Sequence, residues 1–114
     1  MNTENNKIIA EFMGLYYCEK YQFEGWYKNH ECNERVCELN YDFDWNWLME
    51  VVEKIENTVF GEQQYKFKFL VQNNHCSIEQ SNLFNTKRTY AKTKIEATYN
   101  ACVEFIKWYN EQKK

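Results

Sequence analysis

Over residues 93–109, apolar side chains recur at helical spacing. Ile95, Tyr99, Cys102, Val103, Ile106 and Tyr109 share one stripe, and Ala101, Phe105 and Trp108 widen it. Thr93, followed three residues later by Glu96, fits a capping box in which each side chain satisfies an orphan backbone donor at the helix start. The pattern predicts a helix near residues 93–112 whose wide apolar face belongs in a core. A second helix is predicted over 44–57, with Asp44 as N-cap and Trp45, Leu48, Met49, Val52 and Ile55 on its apolar face. Glu50 and Lys54 are spaced as an i,i+4 ion pair on another face of that helix. Ile8, Ile9, Phe12 and Met13 suit a shorter helix over 3–13 that Gly14 ends.

Elsewhere the period falls to two. Residues 65–71 alternate, with Tyr65, Phe67, Phe69 and Val71 inward and Lys66 and Lys68 outward. Asn73 and Asn74 suit a tight turn because Asn tolerates positive φ, and Cys76, Ile78 and Gln80 continue the hairpin partner. Tyr17, Tyr21, Phe23 and Tyr27 at odd positions read as one or two strands turning near Gly25. A polar loop over 29–35 precedes a strand over 36–41, and a short strand is predicted over 88–91. Residues 1–114 therefore read as a single α+β domain, sandwich-like (α/β/α), in which three helices flank a layer of four to six mainly antiparallel strands.

Composition narrows the function classes. The chain has 114 residues, no proline and 18% aromatic residues, enough to build one core without staples. Those rings read either as bulky core filling or as a contact surface. No apolar run approaches the roughly 20 residues that span a bilayer, and the first residues lack a signal-peptide pattern, so the cytoplasm is the expected location. Five cysteines without a C-x-x-C motif suggest reduced thiols, with Cys102 a small core residue. Residues 1–62 carry 13 acidic and 5 basic side chains, a net −8, whereas residues 63–114 carry 4 and 9, a net +5. The acidic balance argues against binding of nucleic-acid polymers and leaves room for a local anion site in the second half.

Catalytic patterns are weak. His30, Cys32 and Cys37, with Cys18 as a candidate fourth, match no common zinc spacing. His75 and Cys76 are strand neighbours that point to opposite faces, a poor nucleophile and base pair. Glu50, Glu53 and Glu56 read as a solvated helix face, and three glycines exclude a glycine-rich phosphate cradle. The expectation is a protein that is not an enzyme, with no catalytic residue, metal or cofactor. The sharper candidate is a ligand site before the last helix. Lys87, Arg88 and Lys92 precede a helix N-terminus that favours phosphate, Tyr90 offers a ring for stacking, and Lys66 and Lys68 add charge if their strand is adjacent. A basic loop that only aids solubility is the other reading of the same residues.

Three blocks resemble the phage ABA-sandwich domain family of small bacteriophage proteins. They are residues 6–14 (NKIIAEFMG), residues 41–45 (YDFDW) running into 50–55 (EVVEKI), and the closing helix from Ile95 to Tyr109. The resemblance implies three helices around an antiparallel sheet and a phage or prophage gene expressed in the cytoplasm of a bacterial host. It carries over no active-site residue. Small phage proteins of this kind commonly act by binding, so the expected function is a counter-defence sponge that sequesters a nucleotide immune signal. The alternative is a protein-binding inhibitor of a host enzyme or defence complex. Trp26, Trp47 and Trp108 would be its exposed anchors, and Glu19, Glu24, Glu31, Glu34, Glu38 and Asp42 its acidic face. Surface rings would also suit a homodimer.

Overall fold

A computed structural model describes residues 3–18, 25–28, 35–36, 39–60, 65–80, 84–85 and 89–112. In chain order the elements are α1 (Thr3–Phe12), β1 (Tyr16–Cys18), β2 (Gly25–Tyr27), β3 (Arg35–Val36), α2 (Trp45–Asn57), β4 (Val59–Phe60), β5 (Tyr65–Lys66), β6 (Lys68–Gln72), β7 (His75–Gln80), β8 (Phe84–Asn85), β9 (Thr89–Tyr90) and α3 (Lys94–Gln112). The class is α+β, with three helices and antiparallel pairing throughout the described strands.

Local chemistry sets the helix ends. Gly14 adopts φ +86°, and the amides of Gly14 and Leu15 donate to the Glu11 and Ala10 carbonyls at 3.1 and 3.0 Å, a Schellman closure of α1. The Asp44 carboxylate accepts from the Asn46 amide at 2.9 Å and caps α2. The Thr93 hydroxyl accepts from the Glu96 amide at 3.2 Å and opens α3.

Strands β1–β2–β3 form one sheet, β4–β5 a ribbon, and β6–β7–β8 a third sheet in which β9 also pairs with β7. Asn73, at φ +51°, turns the β6–β7 hairpin as its residue type suggests. α3 packs against α1, α2 and the third sheet. Its Tyr99, Cys102, Val103, Phe105 and Ile106 are buried with Ile9, Leu48, Val51, Ile55, Cys76 and Ile78. Phe105 contacts the rings of Phe12, Phe67, Trp108 and Tyr109 at centroid distances of 4.7 to 6.4 Å.

Several expectations are corrected. The buried arc of α2 runs through Leu48, Val51, Val52 and Ile55, and Trp45 and Met49 lie outside it, exposed. The Lys54 ammonium, expected to pair with Glu50, instead donates to the Phe12 carbonyl and sits 4.8 Å above the Phe12 ring, tying α2 to α1. The strand over 65–71 divides at the buried Phe67. Tyr65 and Lys66 pair with β4, and Lys68 onward pairs with β7, which leaves Val71 exposed on an edge strand. Gly25 opens β2 opposite Cys18, so the connection lies at 19–24, outside the described residues. Tyr17 pairs with Trp26, which puts it on the face opposite Tyr27. The strand predicted over 36–41 ends early: Tyr41 begins the turn into α2, where the Asp44 amide donates to the Asn40 carbonyl at 3.0 Å. Trp26, Trp47 and Trp108 are half-buried against the core, and among the described residues the exposed rings are Phe43, Trp45, Tyr16, Tyr17 and Tyr90.

Candidate ligand site

Of the six residues expected to bind a ligand, the structure describes Lys66, Lys68, Tyr90 and Lys92. Lys87 and Arg88 lie outside the described residues. Tyr90 is 62% exposed on β9, and its ring is tilted against His75 at 5.4 Å. It lines an open cleft of about 470 Å³ with Asn5, Thr89, Asn100, Val103, Glu104 and Lys107. Thr89 fixes this strand to α3, its hydroxyl donating to the Ala97 carbonyl at 2.7 Å with the Cys76 carbonyl at 3.1 Å. Lys92 follows two residues after Tyr90 and is exposed. Lys68 pairs with Glu79, four residues along β7 from the His75 that pairs with Tyr90, which separates them by roughly 13 Å along the strand. Lys66 belongs to the β4–β5 ribbon. The adjacency expected for Lys68 is corrected, since β6 and β9 pair with different ends of β7; among the described residues Tyr90 and Lys92 are near in sequence, and Lys107 is a cation lining the Tyr90 cleft.

A second cleft, of about 500 Å³, forms where three segments meet. The closed end of α1 contributes Met13, Gly14 and Leu15, and β2–β3 contributes Lys28 and Val36. The turn and first half of α2 supply Tyr41, Asn46, Trp47 and Glu50. Tyr41 is only 3% exposed, and its ring meets that of Trp47 edge to face at 5.1 Å. Its placement comes from a buried node. The Asn6 amide nitrogen donates to the Leu39 carbonyl at 3.3 Å and to the Asp42 carboxylate at 3.5 Å, on either side of Tyr41. The Asn6 oxygen accepts from the Tyr99 hydroxyl at 2.8 Å.

The Tyr41 hydroxyl has no hydrogen-bond partner among the described residues. No fully buried side-chain nitrogen or oxygen there lacks a partner, so this hydroxyl keeps access to the cleft it lines. Burial, reinforced by the charge of Glu50, pushes its pKa up to about 12. It is a neutral phenol and a donor at any physiological pH. Tyr99 is raised for the same first reason, with the Asp42 charge adding to it. Sequence reasoning took Tyr41 for a strand residue, because nothing local announces a cleft built from segments far apart in the chain; it took Glu50 for a solvated residue, and Glu50 is exposed at the cleft rim.

The remaining chemical candidates are inert or fall elsewhere. Burial raises the Cys76 thiol to about 11, against a hydrogen bond from Thr98 that lowers it. Burial and the neighbouring Cys76 raise Cys102 well above the ordinary thiol value. Cys76 points into the core while His75 sits on the other sheet face beside Tyr90, as strand alternation requires. His30, Cys32 and Cys37 lie outside the described residues, and no helix of the described residues is long and apolar enough to cross a membrane. No family model, curated protein or solved structure matches the chain.

Proposed function

We propose that the protein is a non-enzymatic binding protein of phage origin that sequesters a small nucleotide-like ligand in the host cytoplasm, using the cleft around Tyr41. The observation that carries this reading is the Tyr41 phenol, nine-tenths buried, without a partner, and open to a cleft of about 500 Å³. The hydroxyl is a neutral donor held at the cleft surface, and a ligand acceptor there would replace solvent as its partner. The half-buried Trp47 supplies an aromatic wall, Leu15 and Val36 supply apolar surface, and Lys28 is an exposed cation suited to a phosphate. The phage origin rests on the resemblance of the three sequence blocks.

Native mass spectrometry and thermal shift against mono-, di- and cyclic nucleotides and adenosine-diphosphate-ribose derivatives test the reading, with heat release of whatever binds. A compound recovered intact supports sequestration, and a cleaved product would point to an enzyme. Tyr41→Phe keeps the ring and removes only the hydroxyl, so it should weaken binding about tenfold or more. Unchanged affinity would move the site to the Tyr90–Lys107 cleft.

A second reading, a protein-binding inhibitor, is favoured by one specific surface. Phe43 is 66% exposed, Trp45 and Met49 stand beside it at i,i+4 spacing, and the exposed Glu53 and Glu56 continue the same side of α2. Such a ridge suits a partner with an apolar groove rimmed by basic side chains. Trp45→Ala with Met49→Ser should then abolish capture of that partner while leaving nucleotide binding intact.

A further inference from the structure

We propose that two copies of the chain pair through the free edge of β6, forming a two-fold dimer with one antiparallel sheet running through both copies and its axis at Leu70. Among the described strands β6 pairs with β7 alone, so its other edge is open. Two observations fix which backbone groups face that edge. Asn73 and Asn74 form a two-residue turn closed by the Gln72–His75 pair, which is of the hydrogen-bonded kind. Bonded and non-bonded pairs alternate from there, so Leu70 and Lys68 also bond to β7, whereas Phe69 and Val71 do not. On the far side of β7 the Ala91 amide donates to the Asn74 carbonyl at 3.0 Å. That bond assigns the even-numbered residues from Asn74 onward to β9 and the odd-numbered ones to β6, as the same alternation requires. The N–H and C=O groups of Phe69 and Val71 therefore point away from β7, along the open edge.

This edge lacks the features that ordinarily block such pairing. Phe69 to Gln72 carry no charge and no proline, no bulge interrupts the β6–β7 register, and Leu70 and Val71 are 42% and 38% exposed. The strand is also complementary to itself. With the axis at Leu70, the outward groups of Phe69 meet those of Val71 in the second copy, and the reverse, which gives four backbone hydrogen bonds. Leu70 faces Leu70 at the closely spaced non-bonded pair, and Phe69 lies beside Val71 on the other face. Lys68, the one charged residue of the strand, meets the neutral Gln72. Moving the axis to Lys68 would set two ammonium groups against each other. Moving it to Val71 or Gln72 would run the ladder into Asn73, at φ +51°, and moving it to Phe69 would run it into the buried Phe67, where the strand breaks. Five residues a side fall short of the roughly 20–30 of a standard interface, so the dimer depends on concentration. None of Phe69–Gln72 lines the Tyr41 cleft, and this surface is separate from the ligand site.

Sedimentation velocity of the full chain over about a hundredfold range of concentration should show monomer passing to dimer. Amide exchange followed by NMR on the same samples should slow about tenfold at Phe69 and Val71 at the dimer end, while the Leu70 and Gln72 amides, already bonded to β7, keep their rates. Leu70→Lys and Leu70→Glu, at an exposed position and checked for unchanged circular dichroism, should each stay monomeric, because like charges then face each other across the axis. Mixing the two variants should restore a dimer, since the facing charges are then opposite. A native chain that stays monomeric at every concentration overturns the proposal and leaves the edge to a strand from another protein. A dimer that survives both charge variants, or that leaves the Phe69 and Val71 amides unprotected, overturns it by placing the interface elsewhere.

Discussion

Removing the Asn6 side chain should destabilise the protein strongly, because one amide joins α1, α3 and the turn that carries Tyr41. The largest contribution is the 2.8 Å bond from Tyr99, a fully buried phenol that loses this acceptor in Asn6→Ala, for about 1–3 kcal/mol. The bonds to Leu39 and Asp42 are longer, 3.3 and 3.5 Å, and add roughly 0.5 kcal/mol each. The expected total is about 2–4 kcal/mol, a fall in Tm on the order of 10 °C. Urea unfolding of Asn6→Ala, Tyr99→Phe and the double variant separates this bond from general loss of packing. If the bond acts as described, the two changes should be coupled by about 1–2 kcal/mol, with the double variant less damaged than the sum of the singles. A coupling below about 0.5 kcal/mol would refute the reasoning, since the amide and the phenol would then contribute independently. Asn6→Ala should also weaken nucleotide binding, because Leu39 and Asp42 on either side of Tyr41 lose their tether.

Phe105→Ala should cost about 3–5 kcal/mol in urea unfolding, because a fully buried ring packed against Phe12, Phe67, Trp108 and Tyr109 leaves a cavity that the helix cannot close. Gly14→Ala should cost about 1–2 kcal/mol, all of it backbone strain: the residue sits at φ +86°, and an added Cβ would have nothing within 4 Å, so no clash contributes. At high pH, Tyr41 stabilises the fold fully below its ordinary value of 10.0, and that contribution is lost as pH rises through about 12. The loss is on the order of 2–3 kcal/mol, and Tyr41→Phe should flatten stability against pH over that window. Iodoacetamide on the native protein should leave Cys76 and Cys102 unmodified, and both should react once urea unfolds the chain, as read by peptide mass spectrometry.

What could be read from the sequence was local. Asp44, Thr93, Gly14 and Asn73 each act on backbone within a few residues, and each does in the structure what its residue type suggests. The stripe of α3 was legible because nearly the whole turn is apolar and tertiary packing had little freedom to rotate it. α2 was different: Trp45 and Val51 are both apolar, and tertiary packing buries Val51 and leaves Trp45 exposed. Lys68 and Tyr90 show the same limit across a sheet. Both are polar-face residues, but the distance between them depends on a register that no local signal encodes. The Tyr41 cleft was least legible of all, because its lining comes from residues 13–15, 28, 36 and 41–50 and its key hydroxyl is notable for a bond it does not make.

The last described element in the chain, α3, is also the one on which the others pack. Tyr99 lies 93 residues after the Asn6 it bonds. At a synthesis rate of about 5–20 residues per second, Asn6 leaves the ribosome roughly 5 to 20 seconds before its partner is made. Through that interval Ile9 and Phe12 lack the α3 part of their cover, and the β6–β7 hairpin lacks the helix with which it makes most of its contacts. The core of the nascent chain therefore stays incomplete until its last helix has been made. Moving α3 to the front by circular permutation would shorten that exposure without altering a single native contact.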